Sequence, residues 1–134
     1  MQIVRGRAPS STPTQARTDT FTGTVWGDPV LATTAEGNTI NSVTFTPGAR
    51  TYWHVHSGGQ ILIVTAGQGW VCPHGEQPQV LRAGDVVWVP PGERHWHGGT
   101  VDTVMTHLAI SIGRTNWLDE VSDADYRAAL GEAQ

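Results

Sequence analysis

Four of the six histidines in this chain fall in two H-x-H pairs, His54 with His56 and His95 with His97. Each pair stands among β-branched and aromatic residues, which favour a strand. Because alternate side chains of a strand share a face, the two imidazoles of a pair project to the same side, about 6.5 to 7 Å apart. One such pair is most often incidental. Two pairs, each next to a glycine-rich turn, predict a site for one metal ion.

Gln60 follows the first pair across the turn Ser57-Gly58-Gly59. From the next strand it can bring an amide oxygen to the point that the histidines face. A third element, the strand predicted from Thr103 to Ser111, carries His107 on the same face as small or polar neighbours, opposite an aliphatic face suited to packing against a second layer. A lone histidine in a strand is more often structural, but this pattern favours a side chain that faces the cavity.

The composition bounds the class of protein. A chain of 134 residues makes one domain, and its 16 glycines and 8 prolines suit short strands joined by tight turns. The formal charge of −4 gives no basic surface, so nucleic acid and anionic membranes are poor partners. No apolar run approaches the length of a membrane span, and the N-terminus has no signal-peptide core, so we expect a cytoplasmic protein.

Two residue types limit the chemistry. Cys72 is the single cysteine, so no internal disulfide can form, and we expect it to be a small buried or edge residue. Lysine is absent from the sequence. The chain therefore cannot form a Schiff base with a carbonyl substrate, and chemistry on a carbonyl would depend on histidine and metal.

The chain divides into an N-terminal extended arm, residues 1–20, and a β-barrel with a short C-terminal helix, residues 21–134. Within the barrel we expect a first strand from Phe21 to Trp26 and a hairpin turn at Ala66–Gly69. The helix is predicted to begin after Ser122 as its N-cap, with Val121 and Tyr126 in contact across the cap, and to end at Gly131.

The two histidine segments resemble the two motifs of the cupins. The first, G-x5-H-x-H-x3-E-x6-G, is matched at Gly48, His54, His56 and Gly67, with Gln60 in place of glutamate. The second, G-x5-P-x-G-x2-H-x3-N, is matched at Gly84, Pro90, Gly92 and His95, with Gly99 in place of asparagine. The resemblance implies an all-β, jelly-roll-like double-stranded β-helix with one divalent metal ion held by His54, His56, Gln60 and His95.

A narrower resemblance is to small bacterial cupins with hydroxynitrile lyase activity, through the segments at 21–25, 42–56, 59–70, 84–98 and 105–110. It implies Mn(II), or else Fe(II), Zn(II), Ni(II) or Co(II), and reversible cleavage of an aromatic cyanohydrin such as (R)-mandelonitrile to aldehyde and hydrogen cyanide. It also implies self-association to a homodimer or homotetramer. The chain departs from these proteins at Asn41, Val55 and Ser111, which leaves the shape of the substrate open.

In this hypothesis the metal acts as a Lewis acid, and His97 or His107 is the catalytic base. The predicted substrate pocket consists of Asn41, Val43, Phe45, Leu62, Val64 and Ser111. Two other functions are kept open: a dioxygenase that uses Fe(II), and a cupin that binds a small molecule without catalysis. Gln60 favours the lyase, because a neutral amide leaves the charge of the ion uncompensated and disfavours its oxidised state.

Overall fold

The computed structural model describes residues 1–133, with side chains described as far as residue 128, so the last residue of the predicted barrel segment lies outside the described residues. Within this range the chain forms twelve strands and one helix. They are β1 Gln15–Ala16, β2 Phe21–Thr22, β3 Val25–Leu31, β4 Thr39–Phe45, β5 Arg50–Thr51, β6 His54–His56, β7 Gln60–Pro73, β8 Gln79–Arg82, β9 Val86–Val89, β10 His95–Gly99, β11 Met105–Ser111, β12 Thr115–Trp117 and α1 Asp123–Ala133.

The strands form two antiparallel layers that curl around one interior. The first layer has the order β1-β3-β4-β11-β7-β9, and the second is built on β10, which pairs with β7, β5 and β6. The outer strands of the second layer are β8, β2 and β12. The prediction of an all-β barrel with a short C-terminal helix is confirmed.

Strand β7 belongs to both layers. Its first half pairs with β11 and β9, and its second half pairs with β10 and β8. The predicted hairpin turn at Ala66–Gly69 is therefore wrong: the strand continues through it. Gly67 has φ +75°, which bends the strand without reversing it, and the register with β11 shifts next to His107.

The N-terminal segment is tied to its own barrel. Strand β1 lies along the edge of β3, with Gln15 opposite Gly27 and Ala16 opposite Trp26. The predicted first strand is two strands in the structure, since Gly23, at φ +83°, separates β2 from β3. Strand β3 also continues past Trp26, the predicted end, because the register shift between Pro29 and Leu31 accommodates Pro29 within the strand.

Alternation along the strands separates an apolar core from the outer surface. In β11 every second residue from Met105 is buried, and the residues between them are half-buried. Val43, Phe45, Leu62, Val64 and Met105 join one buried cluster between the layers. This period of two puts His107 inside the barrel, where it is fully buried, as predicted.

The C-terminal helix packs on the outside of the second layer. Ser122 accepts a hydrogen bond from the backbone N–H of Asp125 at 3.1 Å, which confirms the predicted N-cap, and Val121 and Tyr126 lie in one buried cluster. The helix continues beyond the predicted end at Gly131, as far as Ala133. The buried Arg50 holds its start: Nη2 donates to the Val121 carbonyl at 2.8 Å and to the Asp123 carboxylate at 2.8 Å.

Gly48 and Gly67 both have a positive φ, but they differ in the space around them. A Cβ at Gly67 would run into the Val104 carbonyl oxygen, whereas Gly48, at φ +82°, has open space around it. We expect Gly48→Ala to cost about 1–2 kcal/mol from the left-handed conformation alone. Gly67→Ala should cost clearly more, measured as the free energy of unfolding in urea. Equal costs would mean that β7 is free to shift away from β11.

The Arg50 contacts predict a further stability difference. Arg50→Met leaves the buried Val121 carbonyl without its donor and should lower the free energy of unfolding by about 2–4 kcal/mol. Asp123→Asn keeps the carbonyl contacts and changes only an exposed partner, so its effect on the urea midpoint should be much smaller. A larger effect of Asp123→Asn would show that the ion pair, rather than the carbonyl contacts, anchors the helix.

Candidate metal centre

The register between β6 and β10 determines where the histidines lie. His95 is directly opposite His54 in an antiparallel pair. Because the two strands run in opposite directions, His56 and His97 lie on opposite sides of this central pair. His54 and His95 therefore form the middle of a row, with His56 at one end and His97 at the other.

The ring separations agree with this arrangement. The centroids of His54 and His95 lie 4.2 Å apart, and His54 lies 4.9 Å from His56 and 5.2 Å from His97. All four side chains are buried. In His54, His95 and His97, one ring nitrogen from each lies within 4.8 Å of the others, so three buried histidines are placed to bind a metal ion.

Backbone carbonyls fix the tautomers of the two central rings. Nδ1 of His54 lies 2.8 Å from the Tyr52 carbonyl oxygen, and Nδ1 of His95 lies 2.9 Å from that of Glu93. A carbonyl can only accept, so each Nδ1 carries the proton. Burial lowers the pKa of both rings, which keeps them neutral. Their Nε2 atoms are left with lone pairs, which is the arrangement of histidines that bind metal through Nε2.

Gln60 presents a second acceptor to the same point. Its amide nitrogen donates to Ser111 Oγ at 3.1 Å, and its amide oxygen lies 3.0 Å from Nε2 of His95. In this orientation two acceptors face each other in a buried site with no proton between them. A cation between them would satisfy both atoms. The donor set of neutral imidazoles and an amide oxygen thus fits a divalent metal ion.

His56 completes the row at the Gln60 end. Its Nδ1 lies 3.0 Å from Thr115 Oγ1, and its buried Nε2 has no hydrogen-bond partner within the described residues. Burial, and then the neighbouring His95, lowers the pKa of His56 to about 4. The ring therefore offers a free lone pair on the side where Gln60 lies. The compact group described above and the predicted ligand set share His54 and His95. They differ in that the compact group adds His97, whereas the predicted set adds His56 and Gln60.

His97 and His107 form a coupled pair at the deep end of the row. Nδ1 of His97 lies 2.9 Å from Nε2 of His107, so one proton is shared between the rings. Burial, and then the charge of His107, holds the pKa of His97 well below its usual range, and burial lowers the pKa of His107 to about 4. His97 Nε2 and His107 Nδ1 are buried without partners in the part of the chain that the structure describes.

Three histidines of the row, His54, His56 and His97, line a cavity of about 230 Å³ inside the barrel. Of the predicted pocket residues, Asn41, Val43 and Ser111 line it together with His54, His56, Gln60, His97 and His107. The structure places Phe45, Leu62 and Val64 in the packed core, away from the cavity lining. Strand alternation identifies which residues face inward, but not how far along the barrel the core ends and the cavity begins.

Eight lining residues were not predicted, among them two aromatic residues and one arginine. Trp117 of β12 and Phe21 of β2 supply an aromatic wall, with their rings 5.9 Å apart and Trp117 4.6 Å from His54. Arg17 reaches the cavity from the N-terminal segment. None of the residues that the structure places around this cavity is acidic, so its lining carries positive charge and no counter-charge.

A model of the cupin domain family matches residues 41–111, more than half of the chain. The chain is a cupin. No helix in the described part of this cupin is both long and apolar enough to span a bilayer.

Known proteins agree with this assignment. (R)-mandelonitrile lyase of Granulicella tundricola is 49% identical over 114 residues, covering 81% of this cupin and 87% of that protein. The crystal structure of a cupin-like protein from Thermotoga maritima is similar with a TM-score of 0.80 and 37% identity, over 96% of this chain and 97% of that chain. A predicted oxalate decarboxylase from the same organism has a TM-score of 0.69 at 24% identity, over 84% and 100%, which shows a shared fold.

Metal content should separate the two ligand sets. We expect His54→Ala and His56→Ala to lose more metal affinity than the about 10- to 100-fold that follows loss of an outer partner, because each removes a ligand. His97→Ala should keep its metal, measured by elemental analysis after dialysis against a divalent ion. His74→Ala is the matched control, since His74 is exposed and belongs neither to the row nor to its partner His107.

The opposite pattern would contradict the predicted set. If His97→Ala loses the ion while His56→Ala keeps it, the ligands are the compact group His54, His95 and His97.

Proposed function

We propose that this cupin is a metal-dependent lyase of the hydroxynitrile lyase type, which reversibly cleaves a small cyanohydrin to an aldehyde and hydrogen cyanide. The observation that carries the proposal is the pair of facing acceptors, His95 Nε2 and Gln60 Oε1, in a chain 49% identical to (R)-mandelonitrile lyase. A cation would satisfy both atoms of this pair, and neither partner brings a negative charge to it.

The metal ion, which we propose to be Mn(II), is held by His54, His56, Gln60 and His95. When bound, it supplies positive charge that favours the deprotonated form of a hydroxyl beside it. The neutral protein ligands leave that charge undiminished. This electrostatic setting suits polarisation of an oxygen on the substrate and disfavours the oxidised metal that a dioxygenase would use.

His97 is the proposed proton acceptor. Its Nε2 is buried and unpartnered among the described residues, and its ring lines the cavity next to His54. In the tautomer in which His97 Nδ1 donates to His107 Nε2, the Nε2 lone pair of His97 is free. After accepting the hydroxyl proton, His97 can pass its Nδ1 proton to His107 across 2.9 Å, which spreads the positive charge over two rings.

The balance of the reaction follows from these groups. The hydroxyl proton moves to His97 Nε2, the oxygen forms the carbonyl double bond, and the bond to the nitrile carbon breaks with its electron pair on cyanide. The same proton then returns to cyanide, so that aldehyde and hydrogen cyanide leave and the histidine pair is neutral again. Phe21, Val43, Ala109 and Trp117 give the substituent on the reacting carbon an apolar wall.

Cyanide release from (R)-mandelonitrile tests the proposal. We expect wild type loaded with Mn(II) to release cyanide well above the background of the buffer, and His54→Ala to fall to that background. His97→Ala, with its metal content unchanged, should be slower by about 10²- to 10⁴-fold, the usual contribution of a positioned base. His74→Ala should match the wild type.

Equal release from wild type and His54→Ala would remove the lyase function. Oxygen consumption by the Fe(II)-loaded protein, increased in Gln60→Glu, would point to a dioxygenase. Metal binding with no turnover on a panel of cyanohydrins would leave a small-molecule-binding cupin.

Self-association remains a prediction, and we propose that a second copy covers the outer face of the first layer. There Val86 and Trp88 are 65% and 53% exposed, in register with four half-buried aliphatic residues, Ile61, Ile63, Leu108 and Ile110. No charge interrupts these six positions, as expected of an interface.

Trp88→Glu should lower the mass measured by light scattering toward the 14.4 kDa of one chain. Val101→Glu, at an exposed residue outside this face, should leave the mass unchanged.

A further inference from the structure

Arg17 is a cation placed at the cavity by the N-terminal segment. Its backbone N–H donates to the Val25 carbonyl at 2.8 Å, directly after β1 pairs with β3, so the residue is fixed at the sheet edge. The side chain is only partly exposed and lines the same cavity as the histidine row. The guanidinium of Arg17 carries a formal positive charge.

Gly27 makes room for this side chain to cross β3. A Cβ at Gly27 would lie 2.9 Å from Cζ of Arg17, so the arginine side chain would have to shift from its present path. Gly27 is opposite Val43, which is opposite His107, so one rung of three strands runs from the guanidinium to the deep end of the histidine row. At about 4.8 Å between neighbouring strands, the backbones of Gly27 and His107 lie about 10 Å apart.

The guanidinium of Arg17 has few hydrogen-bond partners among the described residues. Nη2 donates to Asn41 Oδ1 at 3.3 Å, and the buried Nε has no partner. Among residues 1–128 the ion pairs join Arg7 to Asp28 and Arg50 to Asp123, so no carboxylate in that range neutralises Arg17. A partly buried cation with a free donor, in a cavity without acidic residues, is a site for an anion.

We propose that Arg17 is a carboxylate-binding residue, and that the natural substrate is a small aldehyde, or the cyanohydrin formed from it, that carries a carboxylate at the end remote from the reacting carbon. The carboxylate accepts hydrogen bonds from the guanidinium of Arg17, and the reacting oxygen lies at the histidine row. The inference rests on the proposed function only for the nature of the reacting group. The anion subsite itself rests on the position of Arg17.

Binding of paired aldehydes tests the subsite. Glyoxylate and 4-oxobutanoate carry a carboxylate, and acetaldehyde and butanal are their neutral counterparts. Titration calorimetry on protein of equal metal content should give a dissociation constant for 4-oxobutanoate that is about tenfold to a hundredfold higher in Arg17→Met than in wild type, the loss expected for hydrogen bonds to a charged group. The affinity for butanal should be the same in both, and glyoxylate, which is shorter, should be affected less.

Two further variants separate position from charge. Gly27→Ala keeps the charge of Arg17 but displaces its side chain from the present path, so it should weaken 4-oxobutanoate binding in the same direction as Arg17→Met. Arg7→Met removes the same charge from the same segment outside the cavity and should leave binding unchanged. Thermal unfolding of each variant checks that the barrel is intact.

Some outcomes overturn the subsite. The first is equal affinity of wild type and Arg17→Met for both carboxylates, which is the result if the carboxylate binds only the metal. The second is an Arg7→Met effect as large as that of Arg17→Met. The third is that neither carboxylate binds to wild type. Because calorimetry measures binding without turnover, loss of Arg17-dependent binding and absence of cyanide release are separate results. The first would end this inference, and the second would end the proposed lyase chemistry.

Discussion

The direct pairing of His95 with His54 across two antiparallel strands is the constraint on which the site depends. It brings together residues 41 positions apart in the sequence, and it places the remaining histidine of each pair at opposite ends of the row. One end is completed by Gln60 and the other by His107. A shift of one residue in this register would turn one set of imidazoles out of the barrel and abolish both ends at once.

The distribution of charge gives the cavity its chemical character. The protein provides imidazoles kept neutral by burial, an amide oxygen and hydroxyls, and the one formal charge among the described lining residues is that of Arg17. An ion bound there therefore acts with its full charge. The same absence of acidic groups makes the interior attractive to anions, and it links the metal site to the proposed carboxylate subsite without requiring contact between them.

Much of the site could be predicted from the sequence because it depends on local rules. The spacing in each H-x-H pair and the alternation in β11 correctly place both pairs and His107 inside. Alternation does not measure depth, so Phe45 was expected in the cavity and lies in the core. Arg17 could not be found in this way, since its position depends on pairing between β1 and β3. Likewise, Gly67 favours either a turn or a bend, and contacts with β11 decide for the bend.

The length of β7 has a mechanical consequence. Since a single unbroken strand of 14 residues is hydrogen-bonded into both layers, the layers cannot swing apart about a hinge. The barrel is consequently rigid, and the dimensions of its cavity are set before any ligand binds. Selection among ligands then depends on side-chain rotamers around the cavity opening and on the N-terminal segment that pairs with the edge of β3, rather than on a closing motion.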